Sequence, residues 1–152
     1  MTYTDQKNIS KRETILASLQ YEMQEYMTPG ASAYDIGVYE AIRGIQLYED
    51  CPNKPCCCIW GYKDEMEKEA FEGSYIRDLF IKIYGYADTD GYTFDDIHKL
   101  ARDVEYFLEN DWSYKDSVYL GDMIVYEGGV TDPAGIFEMD IMVRYHTTIT
   151  SP

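Results

Sequence analysis

Apolar positions set out the elements of this chain before any other property does. Ile15, Leu16, Leu19, Met23 and Tyr26 recur at helical spacing, Ser10 followed by Glu13 forms a capping-box pattern, and Pro29-Gly30 closes the run. Together they predict a helix over residues 11–27, followed by a loop over 30–36. Residues 38–48 admit two patterns. Ala41, Ile42 and Ile45 suit a helix, whereas Val38, Ile42, Gly44 and Gln46 line one side of a strand; an irregular strand is the expectation. Pro52 and Pro55 mark a turn, and the apolar run 56–62 predicts a short buried strand. Residues 63–74, rich in Glu and Lys, predict a solvated loop. The next strand, 75–87, alternates cleanly: Leu79, Ile81, Ile83 and Gly85 point one way, and Asp78, Phe80, Lys82 and Tyr84 the other.

A turn over 88–96 leads into a second helix, capped by Thr93 or Asp95 and running to about Asn110. Its buried stripe is Ile97, Leu100, Ala101, Val104, Phe107 and Leu108. Two strands, 119–127 and 136–148, close the chain. In the second, Phe137, Met139, Ile141, Val143 and Tyr145 share one face, with Glu138, Asp140 and Arg144 on the other. Gly128-Gly129 and Asp132-Pro133 mark a connection too long for a tight turn. The order α, β, β, β, α, β, β predicts an α+β fold: a mostly antiparallel twisted sheet of about five strands with two helices packed on one face. No repeat or linker interrupts it, so residues 1–152 are expected as one domain with residues 1–9 as a flexible tail.

Composition narrows the function classes. A chain of 152 residues, 45% hydrophobic, can hide roughly 70% of its unfolded surface and is not a disordered polymer. Its 16 tyrosines favour half-buried surfaces and subunit contacts, because the ring can be covered while the hydroxyl stays wet or paired. Twenty-eight acidic against 13 basic side chains give a formal net charge of −15, which repels nucleic acid and anionic membranes. No stretch approaches the roughly 18–20 apolar residues that span a bilayer, and the polar start of the chain has no signal-peptide core. The cytoplasm, or a particle assembled there, is the expected location.

Three patterns resemble sites, and each fails on spacing or abundance. Cys51, Cys56, Cys57 and Cys58 supply enough thiols for zinc, but three consecutive side chains on a strand alternate faces and cannot converge on one ion. They are expected as small buried hydrophobes, with a disulfide or a metal as the alternatives. The run Asp88-Thr-Asp-Gly resembles part of a calcium loop, yet aligning Gly91 with the loop glycine puts Tyr86 at the first ligand position and Ile97 at the last. His98 and His146 have no nucleophile or acid in a recognisable arrangement, paired carboxylates carry no signal among so many acids, and no glycine-rich phosphate loop is present. No catalytic, cofactor-binding or metal residues are expected, and no cofactor. On the outward face of the strand 75–87, Ile76, Phe80, Tyr84 and Tyr86 are the candidate subunit interface; packing under a loop or helix of the same subunit is the alternative.

A set of local signatures, in this element order, resembles the tail terminator (tail completion) family of long-tailed bacteriophages. They are the strand after Pro55 (Cys-Cys-Cys-Ile-Trp-Gly), the strand Tyr75-Ile-Arg-Asp-Leu-Phe-Ile-Lys-Ile-Tyr-Gly-Tyr-Ala, the helix with Leu100-Ala-Arg-Asp-Val, and the closing strand ending Val143-Arg-Tyr. The likeness covers residues 10–148; the triple cysteine and the acidic connection 88–95 depart from it.

The resemblance implies a structural virion protein and no enzyme. It would form a homohexameric ring at the head-proximal end of the tail tube, stop tube polymerisation, and offer the docking surface for the head-to-tail connector or neck. Its partners would be further copies of itself, the tail tube protein, the neck and the sheath protein. DNA would transit the lumen without sequence-specific binding. A different neck or head-completion ring protein, or a small acidic enzyme or calcium-binding module, are the alternatives.

Overall fold

A computed structural model describes residues 10–88, 95–128 and 134–148. The chain runs α1 (Lys11–Tyr26), β1 (Glu40–Arg43), a short 3-10 turn (Tyr48–Asp50), β2 (Cys56–Phe71), β3 (Ser74–Asp88), α2 (Asp96–Tyr106), β4 (Val118–Tyr126) and β5 (Ala134–Thr148). The sheet order is β1-β2-β3-β5-β4, with β1 parallel to β2 and every other pair antiparallel. The α+β class, the sheet of five strands and the single helical face are as the sequence predicts. No helix among the described residues is long and apolar enough to cross a membrane.

Both helices bury their apolar stripes against one face of the sheet. Ile15, Leu16, Leu19 and Met23 of α1, with Ile97, Leu100, Ala101 and Val104 of α2, meet Leu79, Ile81 and Ile83 of β3 and Phe137, Met139, Ile141 and Val143 of β5. Strand alternation supplies one apolar side chain in two, and these two central strands carry it for longest. Gly85 stands opposite Phe137, and a Cβ there would overlap the Phe137 ring, so the missing side chain makes room for the aromatic one. Beneath the helices the indole of Trp112, fully buried, donates from Nε1 to Ser18 Oγ at 3.1 Å and ties the end of α2 to α1.

Local chemistry sets the two helix starts differently. Ser10 Oγ accepts the Glu13 N–H at 3.3 Å and donates to the Glu13 carboxylate at 3.2 Å, so the cap closes side chain to side chain. At α2, Asp95 occupies the N-cap position without a side-chain bond to the helix; Thr93 lies outside the described residues. The α-helical part stops at Tyr106, and a wider π turn, Phe107–Asp111, carries the chain on past Asn110.

Two sequence expectations are corrected. Residues 38–48 contain a strand of only four residues, Glu40–Arg43, joined in parallel to β2. The expected loop over 63–74 is instead the second half of β2, which pairs with β3 down to Phe71↔Ser74. This half projects past the helices, and its described residues are exposed or half-buried, although the Asp64 side chain is covered by its partners Arg77 and Tyr145. Backbone pairing holds it, and register shifts after Gly61, Met66 and Glu69 break the alternation that would have marked a strand. The acidic stretch around Gly91 and the Gly129–Pro133 connection lie outside the described residues.

Candidate functional site

The second face of the sheet has no helix over it. Cross-strand partners share a face, so the register lists what this face presents. Trp60 and Lys63 of β2 stand opposite Lys82 and Phe80 of β3. Phe80, Lys82 and Tyr84 stand opposite Met142, Asp140 and Glu138 of β5. Tyr119, Ile124 and Tyr126 of β4 complete it against Met142, Glu138 and Ile136. Tyr119, Ile124 and Tyr126 are 54%, 67% and 52% exposed, and Trp60 and Tyr62 are 40% and 38% exposed. Large apolar side chains left uncovered in this number on one surface mark an interaction site more often than chance.

Aromatic contacts order the patch. Trp60 and Tyr62 rings lie 5.3 Å apart, and Tyr62 and Phe80 6.4 Å apart. Lys63 Nζ sits 5.3 Å from the Phe80 ring and Lys82 Nζ 5.6 Å from Tyr62, both at cation–π range. The basic groups Lys82 and Arg144 on this face are paired in place, with one carboxylate in excess around Lys82. Lys82 Nζ donates to Glu138 Oε1 at 2.8 Å and lies 3.3 Å from Asp140 Oδ1. Its bond to Glu138 raises the Lys82 pKa and holds the Glu138 carboxyl below the ordinary carboxylate range. Arg144 grips Asp78 through Nε and one terminal nitrogen at 2.9 and 3.1 Å, and that bond raises the guanidinium's pKa. Asp140 Oδ1 is buried and, despite its ion pair with Lys82, accepts no aligned hydrogen bond. Beside it lies an apolar groove of about 180 Å³ between Phe80, Tyr119, Leu120, Gly121 and Met142.

Of the four residues expected at an interface, three lie on this open face: Ile76, Phe80 and Tyr84, each half-buried. Tyr84 donates its hydroxyl to Glu138 at 3.2 Å. Tyr86 does not belong with them. It is 5% exposed, donates to the Gln46 carbonyl at 2.6 Å, and meets Tyr48 edge-on at 5.9 Å. The turn around Tyr48 belongs to the same chain and covers it. Conversely, Trp60, Tyr62, Tyr119, Ile124, Tyr126 and Met142 sit on the face without having been singled out. The signal available for them was the alternation of Tyr119, Ile124 and Tyr126, interrupted by the bulge between Leu120 and Met123.

The patterns that resembled chemistry have structural roles. Cys57 points into the main core, while Cys56 and Cys58 point the other way and pack with Cys51 and Tyr86 in a second small cluster. All four are buried free thiols. Burial pushes Cys58 up to about 11 and raises Cys56 and Cys57 further, so none of these three is a poised nucleophile. No group of three or more His, Cys, Asp or Glu among the described residues is arranged to hold a metal ion. His98 pairs with Glu127 at 2.6 Å on an exposed surface, and Asp64 accepts from Arg77 at 2.9 Å and from the Tyr145 hydroxyl. Asp88 accepts from Tyr48; the remainder of the calcium-like run falls outside the described residues. A concavity of about 410 Å³ is a shallow surface along α1 bounded by Gln20, Tyr21, Gln24 and Glu25. No protein-family model and no curated protein matches the chain.

Proposed function

We propose that this protein is a structural assembly protein of the tail-terminator kind: a ring of copies at the head-proximal end of a bacteriophage tail tube that stops tube growth and docks the neck. One observation carries the assembly part: a sheet helical on one side and, beyond the Tyr48–Cys51 segment that covers Tyr86, uncovered on the other, with aromatic and aliphatic side chains exposed where a second protein layer belongs. The tail-terminator part rests on the sequence likeness, whose element order the fold reproduces. A ring joins unlike patches on successive subunits, and a chain that meets its partners by surface complementarity has no need of a catalytic pocket. The charge is in keeping with this. A formal charge of −15 leaves carboxylates in large excess, and an acidic lumen lets DNA slide without adhering.

The experiment is light scattering after size exclusion, alone and with purified tail tubes, followed by electron microscopy of the tube ends. A hexamer, or a monomer that becomes a ring on tube ends and halts their elongation, supports the proposal. A stable monomer that leaves tube length and tube ends unchanged overturns it. Rings that bind isolated heads but not tubes place the protein in the neck instead.

A further inference from the structure

We propose that a pocket beneath the start of α1 binds one carboxylate group between the guanidiniums of Arg12 and Arg77. The pocket lies on the helical side of the sheet, and the proposal does not depend on the assembly reading.

Strands β3 and β5 run on past the helices. There Arg77 stands opposite Tyr145, and Tyr75 opposite Thr147. Cross-strand partners lie side by side, so these four side chains make one patch. The next pair inward on the same face, Leu79 with Val143, already belongs to the core. Helix α1 begins over the patch: Lys11 Nζ donates to the His146 carbonyl at 2.8 Å and holds the helix start against β5. Ser10, Arg12, Tyr75, Arg77, Tyr145 and Thr147 line a pocket of about 200 Å³.

The local charge is the reverse of the chain's. Arg77 Nη1 lies 2.9 Å from Asp64 Oδ1 and Arg12 Nη1 3.9 Å from Asp64 Oδ2, so two guanidiniums share one carboxylate. Glu69, opposite Tyr75 on β2, makes no ion pair with either. One positive charge is left over in a chain whose formal charge is −15, and one monoanion cancels it. The fields of both guanidiniums reach the Tyr145 hydroxyl, where they oppose the rise in pKa that burial and the bond to Asp64 cause.

Hydrogen-bond donors are in surplus as well. Asp64 is already served: its side chain is 5% exposed and accepts from Arg77 and from the Tyr145 hydroxyl. Arg77 gives Asp64 one of its five N–H groups, and Arg12, at 3.9 Å, gives none. The backbone N–H groups of Lys11 and Arg12 open α1, where the helix has no acceptor to offer and the dipole favours an anion. Thr147 is only 4% exposed, yet its hydroxyl makes no hydrogen bond among the described residues. A buried hydroxyl without a partner, set beside two guanidinium forks, suits the two oxygens of a carboxylate. A polyanion would meet the chain's excess acids beyond the rim. The group therefore belongs to a small molecule or to an acidic side chain of another protein.

The test is saturation-transfer NMR on the methyl group of acetate, with chloride holding the ionic strength constant. Wild type should saturate in the millimolar range. Arg12→Gln should weaken binding about tenfold and Thr147→Val about fivefold, as expected for losing a charged and a neutral hydrogen bond. Lys99→Gln, which removes the same charge from an exposed position on α2, should bind like wild type. Arg12 is 52% exposed and Thr147 loses only an unbonded hydroxyl, so matching thermal midpoints should show that both variants fold. Transfer that does not saturate, that survives either pocket variant, or that falls equally in Lys99→Gln overturns the proposal and leaves the assembly reading untouched. Sedimentation velocity of the same samples names the source. An assembly dissociated both by acetate and by Arg12→Gln supports an acidic side chain of an adjoining chain as the ligand. Saturable acetate binding with unchanged sedimentation supports a small carboxylate.

Discussion

The carboxylate of Asp103, on α2, accepts the backbone N–H of Gly37 at 2.9 Å across a separation of 66 residues, and it also accepts those of Ile36 at 2.8 Å and Asp35 at 2.9 Å. Asp103 is 3% exposed, and Arg102 beside it pairs with the Asp35 side chain. One buried carboxylate thus replaces secondary structure for three consecutive amides in a loop that otherwise has none. Gly37 fits the bend at φ +78°, where a Cβ would meet the Met27 carbonyl.

Asp103→Ala leaves those three donors without their acceptor, the Gly37 N–H buried and the other two partly reached by water. The loss should be about 3 kcal/mol, given ~1.5–3 kcal/mol for each hydrogen bond to a charged group, with water and loop relaxation replacing part of it. Urea unfolding checks it. Asp103→Asn, which retains acceptor capacity on one oxygen only, should fall between wild type and alanine.

At the β1 edge Gln20 Nε2 donates to the Ala41 carbonyl and Gln24 Oε1 accepts the Ala41 N–H, both at 3.0 Å. Replacing Gln20 and Gln24 together with Ala should expose the amide and carbonyl of Ala41 at the sheet edge. We expect a loss of about 1–2 kcal/mol, since water can replace part of both bonds, together with a rise in light scattering on storage as the freed edge pairs with other chains. A double variant less stable than wild type but no more prone to aggregate would show that the glutamines support the strand without guarding it.

Glu138, held below the ordinary carboxylate range by Lys82, makes stability depend on pH in a defined direction. A depressed folded pKa stabilises the fold above the unfolded value of about 4.3 and loses that contribution as the pH falls through the folded pKa. The urea midpoints of wild type and Glu138→Gln should therefore differ at pH 7 and converge in acid, once the pH is below the folded pKa. A difference that persists unchanged in acid would assign it to packing.

The thiols titrate with the opposite sense. Burial raises Cys58 to about 11, so the fold retains a proton that the unfolded chain releases above its ordinary value of 9.0. Stability is unaffected below that value and falls as pH rises from there through the folded pKa. Serine at position 58 should flatten this alkaline limb. At neutral pH a polar thiol reagent should label none of the four cysteines in the native protein and all four in denaturant.

Much of this fold could be read from sequence where one physical cause dominates. Strand β3 was legible because Leu79, Ile81 and Ile83 meet the helices while Phe80, Lys82 and Tyr84 do not, and α1 because Ser10 and Glu13 close its start. The outer half of β2 was not, since it lies beyond the helices and pairing with β3 leaves no hydrophobic trace. Tyr86 was misplaced for a different reason: alternation assigns it to the open face correctly, but the covering turn at Gln46–Tyr48 lies 40 residues away and leaves no local mark. Ile76, Phe80 and Tyr84 were legible as a face, and their neighbours on β4 and β5 only once the register was known.

The three cysteines of β2 carry a last consequence. Cys57 serves the large core and Cys56 and Cys58 the small one, so a slip of the strand by one residue would still deliver a cysteine to the central position of the three. Here the chain is a degenerate text, and its alignment must be spelled by the letters that follow. Such a slip would turn Ile59 out of the main core and bring Trp60 in. It would also remove Gly61 from its place under Leu16, where any Cβ would lie 2.8 Å from the leucine's Cδ1. A single glycine and a single leucine thus do the proofreading that three identical side chains cannot.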